Sequence, residues 1–176
     1  MWTHLIEQFP QVCRRVRLAL PCIGLDSLCM GLQEMKFDAF DIVYAYDTDG
    51  SLLPHLFSLH GPIGLGGPGI GLGRRGDILN VDVTAWERVD FVMSGPPCPP
   101  WSSIGLRRQS QDIRSKVFLQ VPCCIKHQGH LGAYGFLIEM VVGMDSVPAS
   151  NSGRQSYCAE RLDDLERECP MFIIDT

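Results

Sequence analysis

The chain has 176 residues, of which 45% are hydrophobic, with 15 basic and 20 acidic side chains and a net charge of −5. That length and apolar share fit one globular domain with a real core, and they exclude a disordered or fibrous chain. No apolar run approaches the roughly 18 residues of a membrane span, and the acidic balance lacks the whole-domain basic bias of a nucleic-acid binder.

In chain order, strands alternate with helices. Arg15 to Leu20 ends in Val-Arg-Leu-Ala-Leu, a first strand closed by Pro21. A helix is predicted from about Asp26, with Leu28, Leu32 and Met35 on one face and Asp26 or Ser27 as its cap. Asp41 to Tyr46 forms a second strand that ends at Asp47, and Leu52 to His60 a short helix. Gly61 to Gly76 reads as a glycine-rich loop. Its Gly69-Ile70-Gly71-Leu72-Gly73 lacks the Gly-Lys-Ser/Thr ending of a phosphate loop.

Ile78 to Val83 alternates as a third strand, and Asp90 to Met93 is a fourth. Asp112 to Gln128 is predicted helical, Gly135 to Glu139 a fifth strand, Arg154 to Glu168 a charged amphipathic helix and Met171 to Asp175 a last strand. Asp145 to Gly153, small and polar with Pro148, is linker-like. Strands separated by helices imply an α/β fold with a mostly parallel sheet covered on both faces.

Eight cysteines are scattered without a C-x-x-C pair, so neither a metal site nor a redox motif is expected. Met1-Trp2-Thr3-His4-Leu5-Ile6-Glu7 lacks the basic then apolar pattern of a signal peptide. The expectation is therefore an intracellular protein with reduced thiols, and a core position for Cys123 and Cys124. The positive charge is local, in Arg74, Arg75, Arg107, Arg108, Arg114 and Lys116, two of these runs flanking residue 98. Charge alone reads them as solvated surface.

The most informative segment is Ser94-Gly95-Pro96-Pro97-Cys98-Pro99-Pro100-Trp101-Ser102. Paired prolines on each side fix φ and remove donors, so Cys98 is held on a stiff loop directly after the fourth strand. Ligands bind at the carboxyl ends of the strands in open α/β sheets. The segment closely resembles the nucleophile loop of the cytosine-5 DNA methyltransferases, whose usual form is Pro-Cys followed by a small or aromatic residue and Ser.

Other segments resemble the same family in matching order. Cys22-Ile23-Gly24-Leu25-Asp26-Ser27 is similar to its cofactor loop Phe-x-Gly-x-Gly-Gly, with Gly24 at the first glycine, Cys22 in place of Phe, and Asp26 and Ser27 in place of the later glycines. The resemblance implies binding of S-adenosylmethionine (AdoMet). A carboxylate at Asp26 is then expected near the cofactor's ammonium group. Asp47, where the family usually has Glu, is expected to accept hydrogen bonds from both ribose hydroxyls. Asp47 and Asp49 before Gly50 are equally ordinary turn formers.

Gly76-Asp77-Ile78 resembles the family's Gly-Asp-Ile, whose aspartate takes a bond from the adenine amine, and Ile78 and Pro97 are counted beside the cofactor. Ile138-Glu139-Met140-Val141 resembles the end of the strand carrying the base-recognising glutamate in Glu-Asn-Val, with Met140 in place of Asn.

By this resemblance Cys98 is the nucleophile toward C6 of cytosine, and Glu139, buried and protonated, holds N3 of the ring. The resemblance runs from about Val16 to Asp175 and implies a Rossmann-like methyltransferase fold truncated on its carboxyl side. Residues 1–15 are then an extension, and 16–176 a partial catalytic domain without the Gln-x-Arg-x-Arg element or target-recognition region. The implied function is methylation of C5 of cytosine in DNA, with DNA the partner, neither membrane nor metal, and the nucleus as location in a eukaryote or the cytoplasm otherwise. The alternatives are a catalytically silent fragment acting as a binding module and an RNA cytosine-5 methyltransferase.

Overall fold

A computed structural model describes residues 14–24, 27–37, 39–49, 58, 74–75, 77–100, 111–140, 163, 165 and 167. Its centre is a five-stranded sheet of β1 (Val16–Pro21), β2 (Phe40–Asp47), β3 (Arg74–Arg75), β4 (Phe91–Ser94) and β5 (Gly135–Ile138), in the order β3-β2-β1-β4-β5. Every pairing is parallel. Helix α1 (Ser27–Glu34) follows β1, and α2 (Val117–His130) joins β4 to β5.

Two apolar clusters show that both faces of the sheet are covered. Leu18, Leu20, Ile42, Ala45 and Met93 lie on one face, with Leu32 of α1 and Phe37 packed against them. Ala19, Val43 and Val92 lie on the other, with Val117, Val121, Cys124 and Ile125 of α2. The buried residues of α2 recur at positions 117, 118, 121, 124, 125 and 128, which is one stripe of a 3.6-residue repeat. This is the parallel sheet covered on both faces that the alternating pattern predicted, and the Rossmann-like architecture that the resemblance implied.

The register of β1 on β2 shifts between Leu18 and Ala19, whose partners are Ile42 and Tyr44. One extra residue in β2 breaks strict alternation there. Val43, Tyr44 and Tyr46 therefore all pack with the α2-side cluster, while Ala45 packs with the other. Tyr44 and Tyr46 stack on the buried Trp86 at 4.4 and 5.5 Å between ring centroids. Those stacks anchor the far half of β2 and fix the height at which it ends in Asp47.

The third predicted strand does not form. Residues 78–83 lie instead in two 3-10 turns, Ile78–Asn80 and Val83–Ala85. Asp77 accepts from the Leu79 amide and Asp82 from the Thr84 amide, both at 3.0 Å. Aspartates that bond the backbone two residues on offer it a local alternative to a sheet ladder. Two backbone carbonyls of this stretch are met from α2: Gln120 donates to the Val81 carbonyl at 2.8 Å, and the His127 ring meets the Trp86 carbonyl at 3.1 Å. Gln128, fully buried, accepts from the Val89 amide and donates to the Glu87 carbonyl. The strand that pairs with β2 is Arg74–Arg75, inside the stretch expected to be loop.

The predicted helix over 112–128 begins as a 3-10 turn, Ile113–Lys116, capped by Asp112, and becomes α-helical only at Val117. Cys124 is buried as expected, but Cys123 is exposed, because it falls one residue off the core stripe. The predicted elements over 52–60 and 154–168 lie largely outside the described residues, and those over 145–153 and 171–175 wholly so. Among the described residues no helix is long and apolar enough to cross a membrane, and no group of His, Cys, Asp or Glu could hold a metal ion.

Candidate active site

The chain runs from β1 outward to β2 in one direction, and β4 lies on the other side of β1. Strand order therefore reverses between β1 and β4, and the crevice above their carboxyl ends is where ligands enter such sheets. A cleft lies there, lined by Cys22, Tyr46, Asp47, Thr48, Asp77, Ile78, Gly95, Pro97 and Val117.

Its floor is built by hydrogen bonds between strand ends. After Pro21 the chain turns sharply, with Cys22 at φ 67° and Gly24 at φ 55°. Only glycine adopts that region without strain, so Gly24 suits the turn and Cys22 is held there by its bonds. The Cys22 and Ile23 amides both donate to the Tyr46 carbonyl, at 3.0 and 3.1 Å. Asp47 accepts from the Gly24 amide through Oδ2 and from the Asp49 amide through Oδ1, each at 2.9 Å. A carboxylate has about four acceptor positions, so these two bonds orient Asp47 and leave it capacity toward the cleft. The turn-forming and ligand-facing readings of Asp47 are thus compatible.

Burial pushes the Cys22 thiol up to about 12, and the Asp47 charge adds to the effect. Cys22 is therefore a neutral thiol at physiological pH, a wall of the cleft and no nucleophile. Asp77 also lines the cleft, its carboxylate accepting from the Leu79 amide of its own turn, and the buried Ile78 follows it.

Of the residues expected from sequence, Asp47, Asp77, Ile78 and Pro97 share this cleft, and Gly24 is bonded to its edge. Asp26 lies outside the described residues. Cys98 follows Pro97 on the loop after β4 and is exposed, with a free thiol. Glu139 sits at the end of β5: its amide donates to the Ser94 carbonyl at 2.9 Å. Its Oε2 lies 3.6 Å from where a side chain on Gly95 would begin. The burial expected for Glu139 is not found; its side chain is exposed, because β5 is the outer strand of the described sheet. Tyr46, Thr48, Gly95 and Val117 also line the cleft and were not expected. The signal for the first two was their place beside Asp47 at a strand end; Val117 carried none, since a helix start 19 residues past Cys98 has no sequence mark of the site.

Two carboxylates among apolar walls suit a ligand with vicinal hydroxyls, an amino-substituted aromatic ring and an apolar edge. AdoMet has all three, and the donor set fits it.

Comparison with known proteins bears on the fold and the family. Among solved structures, the fold matches the crystal structure of S. pombe Dnmt2 methyltransferase with a TM-score of 0.59 at 21% identity, over 89% of this chain and 41% of that one. The chain thus spans less than half the length of that neighbour. No curated protein matches. The family model for the C-5 cytosine-specific DNA methylase matches residues 24–147, well over half of the sequence and the whole run from the β1 turn to just past Glu139, and the chain belongs to that family.

Proposed function

We propose that this chain is the cofactor-binding and nucleophile-bearing part of an AdoMet-dependent methyltransferase that modifies C5 of cytosine in DNA. The observation that carries the reading is the shared cleft: Asp47 and Asp77 face it together with Pro97, one residue before the Cys98 thiol.

Asp47 would take the ribose hydroxyls of AdoMet and Asp77 its exocyclic amine, with Ile78 and Pro97 beside the cofactor in the same cleft. AdoMet, when bound, supplies an electrophilic methyl group beside the Cys98 loop. Cys98, as thiolate, forms a bond to C6 of the cytosine, and the ring's π electrons move onto C5. Glu139, once the base lies against it, shares a proton in a hydrogen bond with N3 and stabilises the charge that develops on the ring. Once C5 has been methylated, loss of its proton re-forms the double bond and expels the Cys98 sulfur. A cytosine in a duplex must leave the stack to reach this loop. With the sheet's outer strand carrying an exposed Glu139, the base is the group that encloses it.

The test is covalent capture. A duplex carrying 5-fluorocytosine, incubated with the chain and AdoMet, is expected to yield an adduct at Cys98, because the fluorine cannot leave as a proton does. The yield is expected to be low, since the chain's charge of −5 repels phosphates. Cys98→Ser is expected to give none. An adduct surviving in Cys98→Ser contradicts the role of Cys98. An adduct with a fluorinated RNA strand but not with DNA moves the substrate to RNA. Tight AdoMet binding with no adduct on either supports a silent binding module.

A further inference from the structure

The ladder between β1 and β4 is short: Leu18 pairs with Phe91 and Ala19 with Val92. Two residues further along, Pro21 has no amide proton to continue it. There a side chain takes over. Ser94 is fully buried, and its hydroxyl donates to the Pro21 carbonyl. The Ser94 carbonyl accepts from the Glu139 amide at 2.9 Å, and the Gly95 amide donates to the Cys22 carbonyl at 3.3 Å.

Ser94 and Gly95 therefore tie three segments at one point: the turn after β1 that edges the cleft, the loop that carries Cys98, and the end of β5 that carries Glu139. An alanine would fill this position with no polar group to satisfy. A buried hydroxyl is kept without cost only when bonded, and here its bond crosses to the cleft's own turn.

We propose that Ser94 is a positioning residue, coupling occupancy of the cleft to the setting of the Cys98 loop through its bond to Pro21. The inference rests on the reading of the cleft as a cofactor site. A ligand that draws in the Gly24 turn through Asp47 moves Pro21 and Cys22 with it, and Ser94 passes that displacement to the strand end from which residues 95–98 leave.

The readout is the alkylation rate of Cys98 by iodoacetamide, followed by peptide mass spectrometry with and without saturating S-adenosylhomocysteine, binding being measured separately by calorimetry. Cys123, exposed on α2, is the internal control. In the wild-type chain the ligand is expected to change the Cys98 rate by about five-fold, the lower end of usual coupling between sites, with Cys123 unchanged. In Ser94→Ala the ligand still binds but the change falls below about two-fold, and Ser94→Thr, which keeps the hydroxyl, restores it. If Ser94→Ala does not fold, Ser94→Cys fills the same position with a weaker donor and is expected to give a response between the two. Binding without any change at Cys98 in the wild type, or an equal change in Ser94→Ala, overturns the coupling alone. Absence of binding overturns the cofactor site and the coupling with it.

Discussion

Asp90 is only 1% exposed yet ionised, because its charge is met from three sides. Burial alone would push its carboxyl up. The Arg14 guanidinium at 2.6 and 2.7 Å, the Arg17 amide at 2.8 Å and Arg88 at 3.3 Å together hold it below the usual carboxylate range. The group sits at the amino ends of β1 and β4, the opposite end from the cleft, so its work is structural. A depressed folded-state value means that Asp90 contributes fully above the unfolded value of about 3.9, and that the contribution is lost as pH falls through the folded one. Asp90→Asn is therefore expected to lose roughly 2 kcal/mol in urea unfolding at pH 7. The gap to the wild type should close below about pH 4; a gap unchanged at pH 3 contradicts the assignment. The cysteines give a second check at this scale. Burial pushes Cys22 and Cys124 up to about 12, so alkylation of the folded chain at pH 8 is expected to label Cys98 and Cys123 and spare those two.

Among the elements, α2 does the most to place the site, because its polar side chains stand in for a missing strand. Gln128 meets the Val89 amide at 2.8 Å and the Glu87 carbonyl at 3.1 Å just before β4 begins. Gln128→Ala leaves both without that partner and opens a cavity, so a loss of about 2–3 kcal/mol is expected from denaturant unfolding. His127→Ala, half-buried and bonded to one carbonyl, should cost less than about 1 kcal/mol. The sheet was largely legible in the sequence, because β1, β2, β4 and β5 are short apolar runs with clear ends, each found within a residue or two of its predicted bounds. Ile78 to Val83 misled because its alternation is genuine while Asp77 and Asp82, five residues apart, each start a turn. Those two aspartates were the available signal. The bulge at Val43 left none, since it answers to Trp86, a residue forty positions away. In the site, Asp47, Asp77 and Pro97 were legible from motif order, whereas the exposure of Glu139 depends on which strand is outermost.

At the scale of the whole molecule, the switch point between β1 and β4 gathers segments far apart in sequence, from Cys22 to Glu139, around one crevice. The acidic chain spans 41% of its structural neighbour. The cofactor site proposed for the crevice is anchored by Asp47. A ligand at 100 times its dissociation constant stabilises by about 2.7 kcal/mol, which for a chain of this size is a rise in Tm of roughly 5–10 °C. The most direct measurement is calorimetric titration of S-adenosylhomocysteine into the wild-type chain and into Asp47→Ala. Saturable one-to-one binding is expected, weakened on the order of 10- to 100-fold in Asp47→Ala through loss of charge-assisted hydrogen bonds. No heat of binding at millimolar ligand, or equal affinity in the two chains, would contradict it.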